Sequence, residues 1–363
     1  MPKQPKMTLG EIYQLAIKLG RAADPRGETR VQEILKLEQR RYDELPKDRQ
    51  KFYDREKLNN PYPDTRILFG ATTQPIKTIL AGIDMDGPEL LVADRLRQRG
   101  TPIDAVLAHH PEGIALAQLD DQLTLQTDLL AHYGVPIHIA ESLLEERIGE
   151  LGRALSPVNH NRAIDIARLL DLPFLCTHTA TDNLVFRFMK EFVIGKNPTF
   201  VKDILDALLE LPEYQTAERL GAGPHIVSGA NHRRTGTIAF TDITGGTEGA
   251  KEVYEYLSKS GVGTVVAMHM KEETAKLAKA AHLNVVVAGH ISSDSLGLNL
   301  LLDQLEAAGI TIISAGGLIR VNRLKPSSKQ SRRSSNEKAL RPSFAKRLRP
   351  GKLASGQSPK EIA

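Results

Sequence analysis

The 363-residue chain has a single cysteine, Cys176, so no disulfide can form within it. A disulfide-stapled secreted scaffold is excluded, and the lone thiol reads as a small buried apolar group on its strand. Long apolar runs are missing too. No stretch approaches the roughly 18 consecutive apolar residues of a membrane span. The start, Met1-Pro2-Lys3-Gln4-Pro5-Lys6-Met7, is not followed by an apolar signal region. These gaps predict a soluble, cytoplasmic protein with no membrane partner. A P-loop is also lacking. Thr244-Gly245-Gly246-Thr247-Glu248-Gly249 is glycine-rich and precedes a helical stretch, but it has no Lys-Ser/Thr. We read it as a turn and cap, although its amides could hold an anion.

The hydrophobic content, 41%, suffices for one large core or two medium ones. The net charge of +4 conceals an uneven distribution. Residues 325–363 carry eleven Lys/Arg against two Asp/Glu, and residues 1–60 carry fourteen against ten, which leaves −9 for residues 61–324. The centre is acidic and its ends are basic. The segment 325–363 is rich in Ser, Pro, Lys and Arg and cannot offset its ordering entropy by burial, so it reads as a disordered tail. Its basic runs can attract nucleic acid, but a solvated tail is the favoured reading.

Residues 1–60 read as a helical amino-terminal extension. Ile12, Leu15, Ala16 and Leu19 lie at helical spacing, as do Val31, Ile34, Leu35 and Leu37, with Asp24-Pro25-Arg26-Gly27 as the turn between them. Residues 61–324 alternate short apolar runs with helical stretches. Strands are predicted at Ile76–Ile83, Ile103–Ala108, Pro136–Ala140, Pro173–Cys176, Thr237–Thr241, Thr264–Ala267, Asn284–Ala288 and Ile310–Ser314. Helices, among them Ser142–Leu151, Asn183–Glu191, Val201–Leu211, Thr247–Ser258 and Ser293–Ala307, lie between them. Strands apolar throughout are expected where both sheet faces are covered. The alternation predicts an α/β architecture with mixed or largely parallel sheets. The rhythm breaks between Pro212 and Asn231, and a lobe boundary is expected near 190–235.

Three strand ends carry the chemistry. His109 and His110 follow the strand ending at Ala108, and Pro111 turns the chain so that both imidazoles can serve one site. His178 follows Cys176 by two residues, with Asp182 four further on. His290 follows Ala288-Gly289, with Asp294 again four further on. In open α/β sheets ligands bind outside the carboxyl ends of strands. Imidazole and carboxylate together suit one or two divalent ions such as Zn, Mn, Fe or Ni, without thiolate. Taken singly, each element has an ordinary explanation: His109 and His110 as core polarity, Asp182 as a helix cap, Asp294 as a carboxylate favoured by the helix dipole. Their joint occurrence is what points to metal. A rival middle element, Val135–Ser142 with His138 and Glu141, also ends a predicted strand.

His109-His110-Pro111, His178-x-x-x-Asp182 and Gly289-His290-x-x-x-Asp294 resemble, in kind and order, the motifs of the Nif-three-like family, also called GTP cyclohydrolase 1 type 2 homologues. The resemblance spans roughly Leu68 to Val321, and the Leu-rich run after the last motif (Leu296, Leu300, Leu301, Leu305) shares it. It implies a two-lobed α/β fold with a dinuclear metal centre, and a ring-shaped homohexamer with its sites facing an inner cavity. The implied ligands of two divalent ions are His109, His110, Asp182, His290 and Asp294, with His178 beside them as the catalytic base. One position departs from the pattern. The family usually has Glu where this chain has Asp294, one methylene shorter, which can still bridge two metals if its helix starts slightly closer; otherwise the second metal is held weakly or through water.

The expected function is that of a dinuclear metal-dependent hydrolase acting on an unidentified small molecule, nucleotide-like, phosphorylated or a cyclic amide. Its nucleophile would be a metal-bridged hydroxide and its proton carrier His178. The family label implies attack on the purine ring of GTP, but no guanine-reading motif accompanies it. The competing expectation is a non-enzymatic metal sensor or a scaffold that binds partners.

Overall fold

A computed structural model describes residues 7–324. The basic segment 325–363, expected to be disordered, lies outside the described residues. Eleven strands form in chain order: β1 (Met7–Thr8), β2 (Thr65–Phe69), β3 (Pro75–Ile76), β4 (Thr78–Gly82), β5 (Ala105–Ala108), β6 (Phe174–Thr177), β7 (His225–Ser228), β8 (Thr237–Phe240), β9 (Val262–Ala267), β10 (Asn284–Val287) and β11 (Thr311–Ser314). The shortest two, β1 and β3, pair as a ribbon. The rest build two sheets, ordered β11-β4-β5-β6-β2 and β7-β10-β9-β8.

The two sheets share one plan. In the first, β11, β4, β5 and β6 run parallel and β2 closes the edge antiparallel. In the second, β8, β9 and β10 run parallel and β7 closes the edge antiparallel. The parallel strands are the apolar runs legible in the sequence. The antiparallel edges were missed. Thr65-Arg66-Ile67-Leu68-Phe69 and His225-Ile226-Val227-Ser228 mix polar with apolar residues because an edge strand is less completely covered.

Two helices, Thr179–Gly195 and His290–Ala307, pack on each other between the sheets. Leu184, Leu298, Leu301, Leu302 and Leu305 face the first sheet, in one cluster with Ile79, Ala81, Leu107 and Leu175. Val185, Phe186, Met189 and Leu296 face the second, in one cluster with Phe240, Val266 and Val286. Each fully buried Leu or Phe contributes about 1.5–3 kcal/mol, so these two helices tie both lobes into one body. Their close approach depends on Gly297, where a Cβ would lie 2.5 Å from the carbonyl oxygen of Thr181.

The amino-terminal helix, Leu9–Ala23, is capped by reciprocal Thr8 and Glu11 hydrogen bonds. It buries Leu9, Ile12 and Ala16 in the first sheet's cluster. The next helix, Gly27–Glu44, buries only Val31, with Ile34 and Leu35 half-buried and Leu37 exposed.

Three expectations need correction. Pro136–Ala140 is not a strand: Pro136 precedes a helix, Ile137–Leu155, which buries Ala140 and Leu144 one turn apart and leaves Ile137 exposed. The apolar alternation at Val135, Ile137 and Ile139 mimicked a strand by chance, and the rival middle element therefore ends no strand. The helix expected at Thr247–Ser258 spans only Val253–Lys259, because Asp242 to Ala250 is irregular, with Gly245 and Gly246 at φ +92° and +93°. The irregular stretch from Pro212 instead contains a helix, Pro212–Arg219, followed by β7.

Candidate metal centre

The carboxyl ends of the parallel strands of both sheets meet over the amino-terminal turns of the two central helices. β5 delivers His109 and His110, β6 delivers His178, and β10 leads through Gly289 to His290. Gly289 has φ +110°, a conformation suited to glycine, and this lets the chain pass directly from strand to helix. Asp182 and Asp294 lie in the opening turns of the Thr179 and His290 helices, both buried and both aimed at the histidines. All six residues singled out from the sequence come together here.

Asp294 sits at the middle. Its Oδ1 is 3.5 Å from His109 Nε2, and its Oδ2 is 3.3 Å from both His110 Nε2 and His290 Nε2. Asp182 Oδ1 is 3.3 Å from His109 Nε2, and Asp182 Oδ2 is 3.9 Å from His178 Nε2. Two triads of potential ligand atoms result, His109–Asp182–Asp294 and His110–His290–Asp294, each with its atoms within 4.8 Å of one another. They share Asp294. A third grouping, His109–His110–His178, satisfies the same limit.

These spacings are long for charge-assisted hydrogen bonds, which fall near ~2.7–2.9 Å. Atoms bound tetrahedrally at ~2.0–2.2 Å to one ion lie roughly 3.4 Å apart, which is the separation found. His109 Nε2, Asp182 Oδ1 and Asp294 Oδ2 are buried and have no hydrogen-bond partner. Buried polar atoms left unpaired are costly; a cation beside His109 and Asp182 would satisfy the first two, and one beside His110 and His290 the third. The residues thus fit a divalent metal ion, and the His/Asp groups could hold one.

The outer nitrogens are anchored. His109 Nδ1 lies 3.2 Å from the Thr177 carbonyl oxygen and 3.0 Å from Thr181 Oγ1, His110 Nδ1 lies 2.6 Å from Asp84, and His178 Nδ1 lies 2.9 Å from Asp64. Donation from Nδ1 leaves each Nε2 lone pair facing the cluster, as metal-binding imidazoles require. Asp64 is wholly buried and also accepts from the Thr179 hydroxyl at 2.6 Å. With only protein present, protons take the place of cations. Burial opposes the charged imidazoles, yet Asp294 and Asp182 hold His109 up to about 10. Against the same burial, Asp294 and Asp84 hold His110 up to about 9. Burial pushes His290 down, only partly offset by Asp294. Asp294 itself, despite its burial, is held far below the usual carboxylate range by His109, His110 and His290.

Asp182 does not cap its helix: the cap position is His178, and Asp182 Oδ1 is one of the unpaired atoms. The shorter Asp294 reaches the centre because Gly297, one turn on, lets its helix close on the Thr179 helix. Sequence reasoning missed Asp84 and Asp64. Asp84 follows β4 and was legible as a fourth strand-end carboxylate. Asp64 precedes an edge strand that carried no signal. His269 follows β9, with its ring 4.9 Å from that of His290.

Fold and site define an α/β protein with two sheets whose strand ends enclose a buried His/Asp cluster able to hold a metal ion. A NIF3 superfamily protein from Sphaerobacter thermophilus is similar in structure, at 27% identity and TM-score 0.67, covering 86% of this chain and 99% of that one. That likeness and the three motifs together support a Nif-three-like family for this chain. Two other solved structures match at lower identity: reduced HcgD from Methanocaldococcus jannaschii (14%, 68% and 87% covered, TM-score 0.41) and TTHA1606 from Thermus thermophilus (15%, 72% and 89%, 0.39). No family model matches the sequence, and no curated protein matches it.

Proposed function

We propose that the protein is a dinuclear metal-dependent hydrolase. His109, Asp182 and Asp294 would hold one divalent ion, of Zn, Mn, Fe or Ni, and His110, His290 and Asp294 the other. The observation that carries this reading is the set of buried, unpaired atoms on His109, Asp182 and Asp294. When bound, such ions act as Lewis acids and lower the pKa of water towards neutrality. The protein's own part is positional. Asp294 presents one oxygen to each triad and so fixes their separation. Asp84 and the Thr177 carbonyl hold the His110 and His109 rings in place. Asp64 orients His178, whose Nε2 faces the cleft and is placed to accept a proton during hydrolysis.

Family resemblance extends the reading to a homohexameric ring, which light scattering on the full chain tests. Elemental analysis of purified protein tests the centre. We expect two metals per chain, and turnover of hydrolysable small molecules that is lost in a folded His109→Ala variant. Metal binding with no turnover across nucleotides, phosphoesters and cyclic amides would instead favour a sensor or scaffold. A wild type that retains no metal defeats both.

A further inference from the structure

We propose that the loop Asp242–Thr247 is a cradle for a tetrahedral oxyanion, and that the substrate of the metal centre carries a phosphate group. The proposal rests on the metal-centre reading, and it concerns the opposite wall of the same cleft.

That wall is built from Asp242, Thr244, Gly246, Thr247 and His269, facing His290 and Asp294. Gly246 can present only backbone to the cleft. From Ile243 to Glu248, six consecutive backbone amides find no protein acceptor among the described residues. Ile243, Thr244, Gly245 and Glu248 are nevertheless buried. Burying amides without partners is unfavourable, so those of Ile243, Thr244, Gly246 and Thr247, which line the cleft, call for an acceptor from outside the chain. Successive amides in a turn form an anion-binding concavity.

The loop is pinned from behind, which leaves its amides committed to no other task. Gln126 donates to the carbonyls of Gly245, at 3.3 Å, and Thr247, at 2.6 Å. The Thr244 hydroxyl donates to Asn183 at 2.6 Å, next to Asp182, and the Gly249 amide donates to Asp242 at 2.9 Å. Gly245 is required on the rear face, where a Cβ would lie 2.8 Å from Gln126 Cγ. The chain thus spends its glycines, carbonyls and hydroxyl on holding the loop still. His269, beside His290, adds a ring nitrogen at the same wall.

Charge makes phosphate the fitting anion. Asp182, Asp242 and Asp294 would repel it from an empty cleft. A cation pair reverses that balance, and amides add anion affinity without adding charge.

The test uses the full chain and inorganic phosphate. Protein labelled with 15N-glycine is titrated with phosphate, metal-loaded and after chelation, while calorimetry follows affinity in wild type and Thr247→Pro. The proline removes one amide and keeps the carbonyl that accepts from Gln126. We expect the Gly245 and Gly246 amide resonances to shift in both metal states, more weakly after chelation. We also expect Thr247→Pro to bind phosphate at least tenfold more weakly with unchanged metal content. Phosphate binding that leaves both resonances in place means the metals alone hold the anion, and overturns the cradle while sparing the metal centre. No phosphate binding to loaded protein overturns it as well. Glycine shifts in a protein that retains no metal would sink the metal centre and leave the cradle standing. Should Thr247→Pro fail to fold, the wild-type resonances decide the matter alone.

Discussion

The two lobes contribute to one site on unequal terms. From the first sheet come His109, fully buried, His178, nearly so, and the partly exposed His110, each with its outer nitrogen anchored to protein. From the second comes His290, whose side chain is 42% exposed and whose ring rests against His269 rather than on a hydrogen-bonding carboxylate. Asp294 is buried like the first lobe's residues although it follows a second-lobe strand, because its helix is wedged between both sheets. Preorganised, buried ligands bind metal tightly, whereas solvated ones exchange. On the proposed dinuclear reading, the difference would make His109–Asp182 a closed, permanent position and His110–His290 an open one, where substrate would enter.

The strongest way to break this comparison is to remove the residue that both positions share. Asp294→Ala should reduce metal from two ions per chain to none, read by elemental analysis after gel filtration; retention of both would show that the triads do not depend on it. His290→Ala should cost only the open position and leave about one ion, while His109→Ala should cost the closed one. Equal losses, or removal of both metals from wild type by a chelator in a single phase, would erase the asymmetry. Asp64→Asn should lower kcat about 10–100-fold with metal content intact, as expected for loss of an outer partner of a functional imidazole; an unchanged kcat removes His178 from the reaction. Gly297→Ala forces the central helices apart. Overpacking of this kind costs about 1–3 kcal/mol, so Tm should fall by several degrees and metal affinity with it. An unshifted Tm would mean that the helices do not set the height of Asp294.

The smallest effect sharpens the comparison through pH. His109 and His110 are raised in the folded protein to about 10 and about 9, above the ~6.5 expected when unfolded. Their contribution to metal-free stability is therefore complete below about pH 6.5 and lost as pH rises through 9 and 10. Metal must displace those protons, so affinity should increase over the same interval. Thermal melts of chelated protein should decline from pH 7 to 10 while those of loaded protein hold steady; parallel curves would refute the linkage.

Much of the fold was legible because parallel strands covered on both faces read as continuous apolar runs. Ala105–Ala108 and Asn284–Val287 lie within one residue or two of where the pattern placed them. Edge strands such as Thr65–Phe69 lack that pattern, and Pro136–Ala140 imitated it without being a strand. The histidines and acids were legible because each histidine follows a strand within three residues, and Asp182 and Asp294 each stand four beyond a histidine. Asp64 was not, since its partner His178 lies 114 residues away along the chain.

By itself the order of residues determined which side chains stand at strand ends, because the alternation of apolar runs and helices sets where each strand stops. Only the tertiary structure decided that Asp294, short as it is, lies between His109, His110 and His290. That depends on how near two helices pack, which Gly297 permits and no local pattern encodes. It also decided that an ordinary-looking glycine turn faces the His/Asp cluster, since the distance between the two lobes is a property of packing rather than of spacing along the chain.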